Sequence, residues 1–437
     1  MYPDEGSKSA ALYRRARGTV ADGVSRATIT MDPYPLYLRS ARGARVVDVD
    51  GNELIDFNNN YTSLIHGHGR AEIVAAVNEQ LAKGMAYSFG SEAEVELAEL
   101  LCGRLPGDQR IRFCNSGSEA VMHAIKAARA YTGRGKIAKC EGAYHGSYDF
   151  AEVSLGVGPG AWGEPAAPAA APYAAGTPQG VLDDVLPIPF NDGEAAERIL
   201  AGHGDDLAAI LIDPISSLVG MVGLQPEFLA TVQGLAQRLG ALLIFDEVVA
   251  FRLGLSGAQG GLGVTPDLTA LGKIIGGGLP IGAVAGRAEV MAVFERQGGK
   301  ARLPHGGTFN ANPLTMVAGR TCMELMDPGA FDRLNRMGEE LRRQLREAFA
   351  LANAEGQVTG EGSLFRLHLH SRPMVNYRDA WMRAEESRRM AELHRHLLNA
   401  GLFLSPYGSG CLSTAMEDHD LSALADGVLG GLRALRE

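Results

Sequence analysis

The chain has 437 residues, 46% of them hydrophobic and 21% charged, enough to bury a large core in two or three structural units. Its formal net charge is −10, from 41 basic against 51 acidic residues, with no long basic block, which argues against nucleic acid and anionic membrane surfaces as partners. The five cysteines show no CxxC spacing, so neither a disulfide framework nor a zinc knuckle is expected. A reducing compartment fits, and a polar start with no apolar run of membrane-spanning length makes a soluble cytoplasmic protein the expectation.

In chain order, residues 12–17 read as a charged helical piece, and Arg26 follows in a Val-Ser-Arg context. Residues 46–57 alternate on both sides of Asp50-Gly51-Asn52, which predicts a β-hairpin whose partner strands come from elsewhere. Residues 58–68 combine asparagines, Tyr61 and two histidines, a polar-aromatic stretch suited to lining a pocket. His66-x-His68, His368-x-His370 and His394-x-His396 have metal-like spacing, but no acidic or cysteine partner stands at ligand spacing beside them, so no metal is expected.

Helices are predicted over 71–81 and 92–101, and a strand over 110–114. The strand runs through Asn115-Ser116-Gly117-Ser118-Glu119 into an Ala-rich helix ending near residue 131. Such a helix N-terminus suits a phosphate; an ordinary N-cap at Ser116 or Ser118 with nothing bound is the alternative. Residues 136–140 form a strand that leads into Glu141-Gly-Ala-Tyr144-His145-Gly146. Tyr144 is a candidate to stack on a flat ring, against plain surface packing. Residues 156–180 are rich in Gly, Pro and Ala and read as a mobile flap or surface loop. Gly158-Pro-Gly160-Ala-Trp-Gly163 matches GxGxxG but follows no strand and opens no helix, so it is not a dinucleotide site.

Buried-type strands follow at 207–213, 242–248, 268–271 and 282–286, with an amphipathic helix over 226–239. This alternation predicts an α/β fold whose parallel sheet is covered on both faces. Ligands bind such sheets beyond the strands' carboxyl ends, where Asp213, Asp246 and Lys273 fall. An ammonium in apolar surroundings loses solvation, so the pKa of Lys273 should fall, and a neutral amine is what a Schiff-base nucleophile needs. A lysine that snorkels to water is the alternative. From about residue 310 helices and short strands interleave, which predicts a second, α+β unit that the N-terminal hairpin joins.

A pyridoxal 5'-phosphate site needs an amine, a carboxylate for the pyridine nitrogen, an anion cradle and a flat neighbour for the ring. Lys273, Asp246, the Ser116–Ser118 turn and Tyr144 offer these four, all at predicted strand ends. The run Ile244-Phe-Asp246-Glu247-Val248, Leu271-Gly-Lys273 and Gly276-Gly-Gly278 resembles the class III (omega-type) aminotransferases. So do Asn115-Ser-Gly-Ser-Glu-Ala120, Gly142-Ala-Tyr-His-Gly146 and Gly307-Thr308-Phe-Asn310. The likeness runs from roughly residue 35 to the end. It is nearest the branch of glutamate-1-semialdehyde aminomutase and the β-amino-acid aminotransferases.

The resemblance implies fold type I of the pyridoxal-phosphate transferases: a mostly parallel central sheet with helices on both faces, plus a smaller α+β domain. Residues 1–60 would join the small domain, 61–310 form the large cofactor domain and 311–437 the small one. Lys273 would hold the cofactor as a Schiff base and shuttle the proton, and Asp246 would bind the ring nitrogen. Val248 and Tyr144 would flank the ring, with His145 beside them. Ser116, Gly117 and Ser118 would hold the phosphate, and Thr308 would reach the phosphate of the partner in a homodimer with shared active sites. Asp213 stands where relatives carry a longer Glu-Pro motif with Gln or Asn, and would reach the ring oxygen through water.

For the substrate, Arg26 is similar to a carboxylate-binding arginine of β-amino-acid aminotransferases, a surface salt bridge being the alternative. Tyr407 replaces a second such arginine; Arg252 and Tyr61 are further candidates. The expected reaction is ping-pong transfer of an amino group from an amino acid, a β-amino acid being one candidate, or an amine to a 2-oxo acid. A 2,1-aminomutase is the alternative, although its longer acidic segment near Ser405 is missing.

Overall fold

The computed structural model describes residues 2–296 and 298–436. Its central sheet has seven strands: β1 (Gln109–Cys114), β2 (Lys136–Cys140), β3 (Val185–Ile188), β4 (Leu207–Ile212), β5 (Leu242–Asp246), β6 (Leu268–Gly272) and β7 (Gly282–Arg287). In space the order is β1-β7-β6-β5-β4-β2-β3. The last five of that order pair in parallel. β7 is antiparallel to both its neighbours, β6 and β1.

The sequence reads β7 as one more parallel strand, and connection length explains the difference. A parallel return needs a crossover of a dozen or more residues, usually a helix. Residues 273–281 form only a short turn with Gly277 and Gly278 at φ 60° and 99°, so the chain comes straight back beside β6. The next segment is a single helical turn, Ala288–Met291, continued by a 3-10 turn, Ala292–Phe294.

Strands β4, β5 and β6 are buried along their whole length, because both faces of the sheet are covered. Leu242 and Ile244 join Ala209 and Leu211 in the core that includes Ala120, Val121 and Ala124 of helix α1 (Gly117–Thr132). Leu243 and Phe245 join Ile210 and Ile212 in the opposite core, with Phe228, Val232 and Leu235 of helix α2 (Pro226–Leu239). Proline starts α2 and Gly240, at φ 63°, ends it. By the same alternation Asp246 leaves the sheet on the α1 side.

The N-terminal strands Leu38–Arg42, Arg45–Asp48 and Glu53–Asp56 form an antiparallel set. Their outer partner is Leu402–Phe403, which runs parallel to Glu53–Asp56, so the two ends of the chain share one sheet. A three-stranded sheet of Gln357–Thr359, Leu364–His368 and Ser409–Cys411 stands beside the long helices Pro328–Leu351 and Ala384–Asn399.

The segment 156–180, read as a mobile flap or surface loop, is anchored at residues 162–164. It contains a two-strand ribbon of Gly163–Glu164 and Ala167–Pro168. Arg378 makes a bidentate pair with Glu141 at 2.9 and 3.0 Å and also donates to the carbonyls of Trp162, Gly163 and Glu164. Trp162 packs edge-on against Tyr377 and Trp381. Composition alone could not show these anchors, because they come from more than 200 residues later in the chain.

The start of α1 sits hard against β7: a Cβ added at Gly282 would lie 1.9 Å from the Ser116 carbonyl oxygen. Gly282→Ala should therefore destabilise the fold by at least ~1–3 kcal/mol. Gly135→Ala, where a Cβ meets nothing within 4 Å, should change stability far less. Denaturant midpoints compare the two, and equal midpoints would contradict this packing.

Candidate active site

Loops beyond the carboxyl ends of β1, β2, β4, β5 and β6 meet in a cleft of about 350 Å³. Gly117, Ser118, Tyr144, His145, Asp213, Asp246, Val248 and Lys273 all line it. Sequence reasoning therefore found most of the polar lining from one signal, strand-end position. The stretch 58–68, read as pocket lining, contributes Asn60 and Ser63; Asn115, Ser217 and the apolar run Leu279-Pro280-Ile281 also line the cleft and were not singled out.

Asp246 is buried and doubly held. His145 Nδ1 lies 2.8 Å from its Oδ2, and the Val248 amide donates to Oδ1 at 3.0 Å. An ionised carboxylate only accepts, so the imidazole proton belongs on Nδ1. Burial lowers the pKa of His145 and favours the neutral ring, although Asp246 opposes that shift. Its Nε2 is buried without a partner. The result is a carboxylate whose orientation is set before anything binds.

Lys273 follows Gly272 with φ at 51°, a left-handed backbone that is costly for a side chain and is concentrated at functional sites. Burial pushes its ammonium down to about 8, against the pull of Asp246 and Asp213 toward the charged form. Asp213 accepts from the Ile215 amide at 3.1 Å. Its carboxyl is held well above the usual range, first by burial and then by the neighbouring Asp246.

The N-terminus of α1 has a divided role. Ser116 is its N-cap and accepts from the Glu119 amide at 3.1 Å, so this hydroxyl is occupied and Ser116 does not line the cleft. Gly117 and Ser118 do, and their first-turn amides have no intrahelical acceptor. A Cβ at Gly117 would lie 2.9 Å from Val248, so glycine lets the helix end approach that side chain. Gly146 likewise passes against Ser118, whose hydroxyl accepts from the Ser147 amide at 3.0 Å. Thr308 is exposed, on a loop tied to the cleft through Asn310, which accepts from Asn115 at 2.7 Å.

Arg26 and Tyr61 line a second cavity of about 550 Å³ that shares Asn60 and Gly278 with the cleft. Arg26 donates to Asn60 Oδ1 at 2.8 Å, and Tyr61 donates to the Thr28 carbonyl. Residues Asn59 to Thr62 are all at positive φ, a left-handed turn that asparagine tolerates better than most residues. Tyr407 is 48% exposed and lines neither cavity.

Arg252 is a correction to the substrate-binding set. It is fully buried and donates to Ser363 Oγ at 3.0 Å, Leu412 O at 2.5 Å and Thr62 O at 3.3 Å. Its guanidinium braces the left-handed turn from behind and is not available to a substrate carboxylate. Its place after a strand end suggested otherwise; only the packing shows where the side chain goes. Among the described residues no group of three or more His, Cys, Asp or Glu is placed to hold a metal. His66, His368 and His394 each face a backbone carbonyl within hydrogen-bonding distance.

The family profile for class III aminotransferases matches residues 28–421. The chain belongs to the class III aminotransferases. A glutamate-1-semialdehyde 2,1-aminomutase of Methanothermobacter thermautotrophicus is 38% identical over 98% of this chain and 100% of that protein. An omega-transaminase from Sphaerobacter thermophilus is 51% identical with a TM-score of 0.97, covering 100% of this chain and 99% of that one. A β-phenylalanine aminotransferase from Variovorax paradoxus is 34% identical with a TM-score of 0.88, covering 97% and 93%. The protein is thus a pyridoxal-phosphate-dependent transaminase of fold type I, acting on a small-molecule amino donor and acceptor.

The low basicity of Lys273 can be checked on the apoprotein. Its labelling by trinitrobenzenesulfonate, read by peptide mass spectrometry, should have a midpoint near pH 8. Asp246→Asn removes a charge that stabilises the ammonium, so the midpoint should fall further. A midpoint near the ordinary lysine value of 10.5 would show a solvated side chain instead.

Proposed function

We propose that Lys273 carries the cofactor, that Asp246 binds its pyridine nitrogen, and that the enzyme moves an amino group from an amino acid to a 2-oxo acid in a ping-pong cycle. The observation that carries this reading is a low-pKa amine and a pre-oriented carboxylate lining one cleft. The residues present suit the group. The Gly117 and Ser118 amides offer an anion cradle, Val248 and Tyr144 offer ring neighbours, and Asp246 lacks a full positive partner that a protonated ring nitrogen would supply. Asp213, held toward its protonated form, would donate a hydrogen bond where relatives use an amide.

The bound cofactor supplies an electron sink for carbanion chemistry. The chain's own contribution is positional. Lys273 Nζ, once free, accepts and returns the proton at the substrate carbon, a task suited to an amine titrating near neutrality. His145 and the Val248 amide keep the Asp246 carboxylate in place. Leu279, Pro280 and Ile281 line the cleft with apolar surface that displaces water.

For the donor we favour an amino acid with a large apolar substituent, a β-amino acid in particular. Support comes from the mostly apolar cavity beside the cleft, which includes Ile29, Met31, Leu36 and Phe403, and from Arg26 on the same cavity. The Variovorax relative's name points the same way. Tyr61 lines this cavity as well, and the Tyr407 hydroxyl lies near enough to Tyr61 to influence its ionisation. We also propose a homodimer in which Thr308 reaches the partner's phosphate; its exposed loop, with Phe309 61% exposed, supports that reading. The five free cysteines, four of them buried, suit a reducing cytoplasm.

A second reading, intramolecular 2,1-aminomutation, is favoured by the names of the curated relatives. The two differ in whether an added 2-oxo acid becomes aminated. We expect amination of added pyruvate or 2-oxoglutarate, covalent capture of the cofactor at Lys273 by borohydride, and a loss of turnover of at least ~100-fold in Asp246→Asn. Cofactor captured at another lysine would overturn the role of Lys273. Turnover without any acceptor, and no amination of one, would establish the aminomutase instead.

A further inference from the structure

Ser217 lines the cleft, and its carbonyl oxygen accepts a hydrogen bond at 2.7 Å from Arg366 Nη1. Arg366 belongs to the strand Leu364–His368 of the small sheet and is only 4% exposed. Its Nε is buried without a partner. Burial pushes the guanidinium down to about 10, and the only other contributor is Tyr407; no carboxylate takes part. This contrasts with Arg252, whose Nε and both Nη atoms are committed to protein oxygens. A buried guanidinium with one neutral acceptor keeps most of its desolvation cost, which an anion would offset.

Arg26 reaches the same cleft from another segment, through Asn60. Two guanidinium groups are thus each one hydrogen bond from a residue lining one cleft. Two fixed cations match two carboxylates, and Arg can bind each in bidentate fashion.

We propose that Arg366 receives a substrate carboxylate remote from the reacting carbon, which makes a 2-oxo dicarboxylic acid the acceptor. This rests on the transaminase reading above. Arg366 then sets specificity: it takes the second carboxylate of the acceptor, while Arg26 takes the other carboxylate, of donor and acceptor in turn. Tyr407 lies near enough to the guanidinium to influence its charge.

The test compares 2-oxoglutarate with pyruvate as acceptors for the holoenzyme and for Arg366→Met and Arg366→Lys. In R366M we expect kcat/KM for 2-oxoglutarate to fall ~100-fold, with pyruvate changing less than ~3-fold. R366K, which keeps the charge but not the fork, should lose ~10-fold on 2-oxoglutarate alone. A purely structural bridge to Ser217 would lower both acceptors by the same factor, and that result, or no change in either, overturns the proposal. If R366M does not fold, the acceptor ratio in R366K decides.

A second measurement needs no turnover: equilibrium dialysis of glutarate, with propionate as control, against the wild-type holoenzyme and the variants. Saturable glutarate binding that R366M loses, or that R366K weakens, supports the assignment. Equal binding in wild type and variants, or none in wild type, overturns it. Should the wild type transfer no amino group at all, the transaminase reading fails, and dialysis still decides Arg366.

Discussion

One ammonium and two carboxyl groups share a desolvated cleft, and much of the structure serves to keep them there. Lys273 and Asp213 each lose solvation there, and Asp246 stands beside both. Burial opposes the charge on Lys273 and on Asp213, while Asp246 favours the one and disfavours the other. Such conflict is unstable unless each group is held. Asp246 is fixed by His145 and the Val248 amide, Asp213 by the Ile215 amide, and Lys273 by a left-handed turn. Perturbed groups of this kind, gathered in one cleft, are the physical mark of a catalytic site.

The sheet makes the gathering possible. Consecutive parallel strands deliver the ends of β4, β5 and β6 side by side, because their pairing is in register: Phe245 opposite Ile212, and Asp246 opposite Ala270. Close approach completes the site. Gly282 lets β7 pass under the Ser116 carbonyl, and Gly117 lets the helix end rest on Val248. Side chains at either glycine would push the α1 terminus away from β7 or from Val248.

The arginines show how position along the chain misleads and packing informs. Arg252 stands just past a strand end, yet its guanidinium is spent on a left-handed turn that holds Asn60 at the cleft wall. Arg366 lies in the middle of a strand of the smaller unit, with nothing in its sequence context to single it out. It is nevertheless the buried cation that touches the cleft's lining through Ser217. Both side chains extend across contacts of more than 100 residues' separation. Local pattern carries no information at that range.

Local pattern did determine a good deal. Apolar runs ending in Asp246 and just before Lys273 had to be strands buried on both faces, and their charged ends had to lie at the sheet's rim. The turn around Ser116–Ser118 had to start a helix. The family is legible as a resemblance carried by several short motifs in the right order, and the need for an amine, a carboxylate and an anion cradle at strand ends pointed to the cofactor. What only the tertiary structure decided was direction and partnership: that β7 returns antiparallel, that Arg378 anchors residues 162–164, that His145 orients Asp246, and that Arg252 has all its guanidinium nitrogens paired while Arg366 keeps an unpartnered Nε. The reason is that backbone propensity acts between near neighbours, whereas a buried polar group takes whatever partner the packed chain brings within about 3 Å.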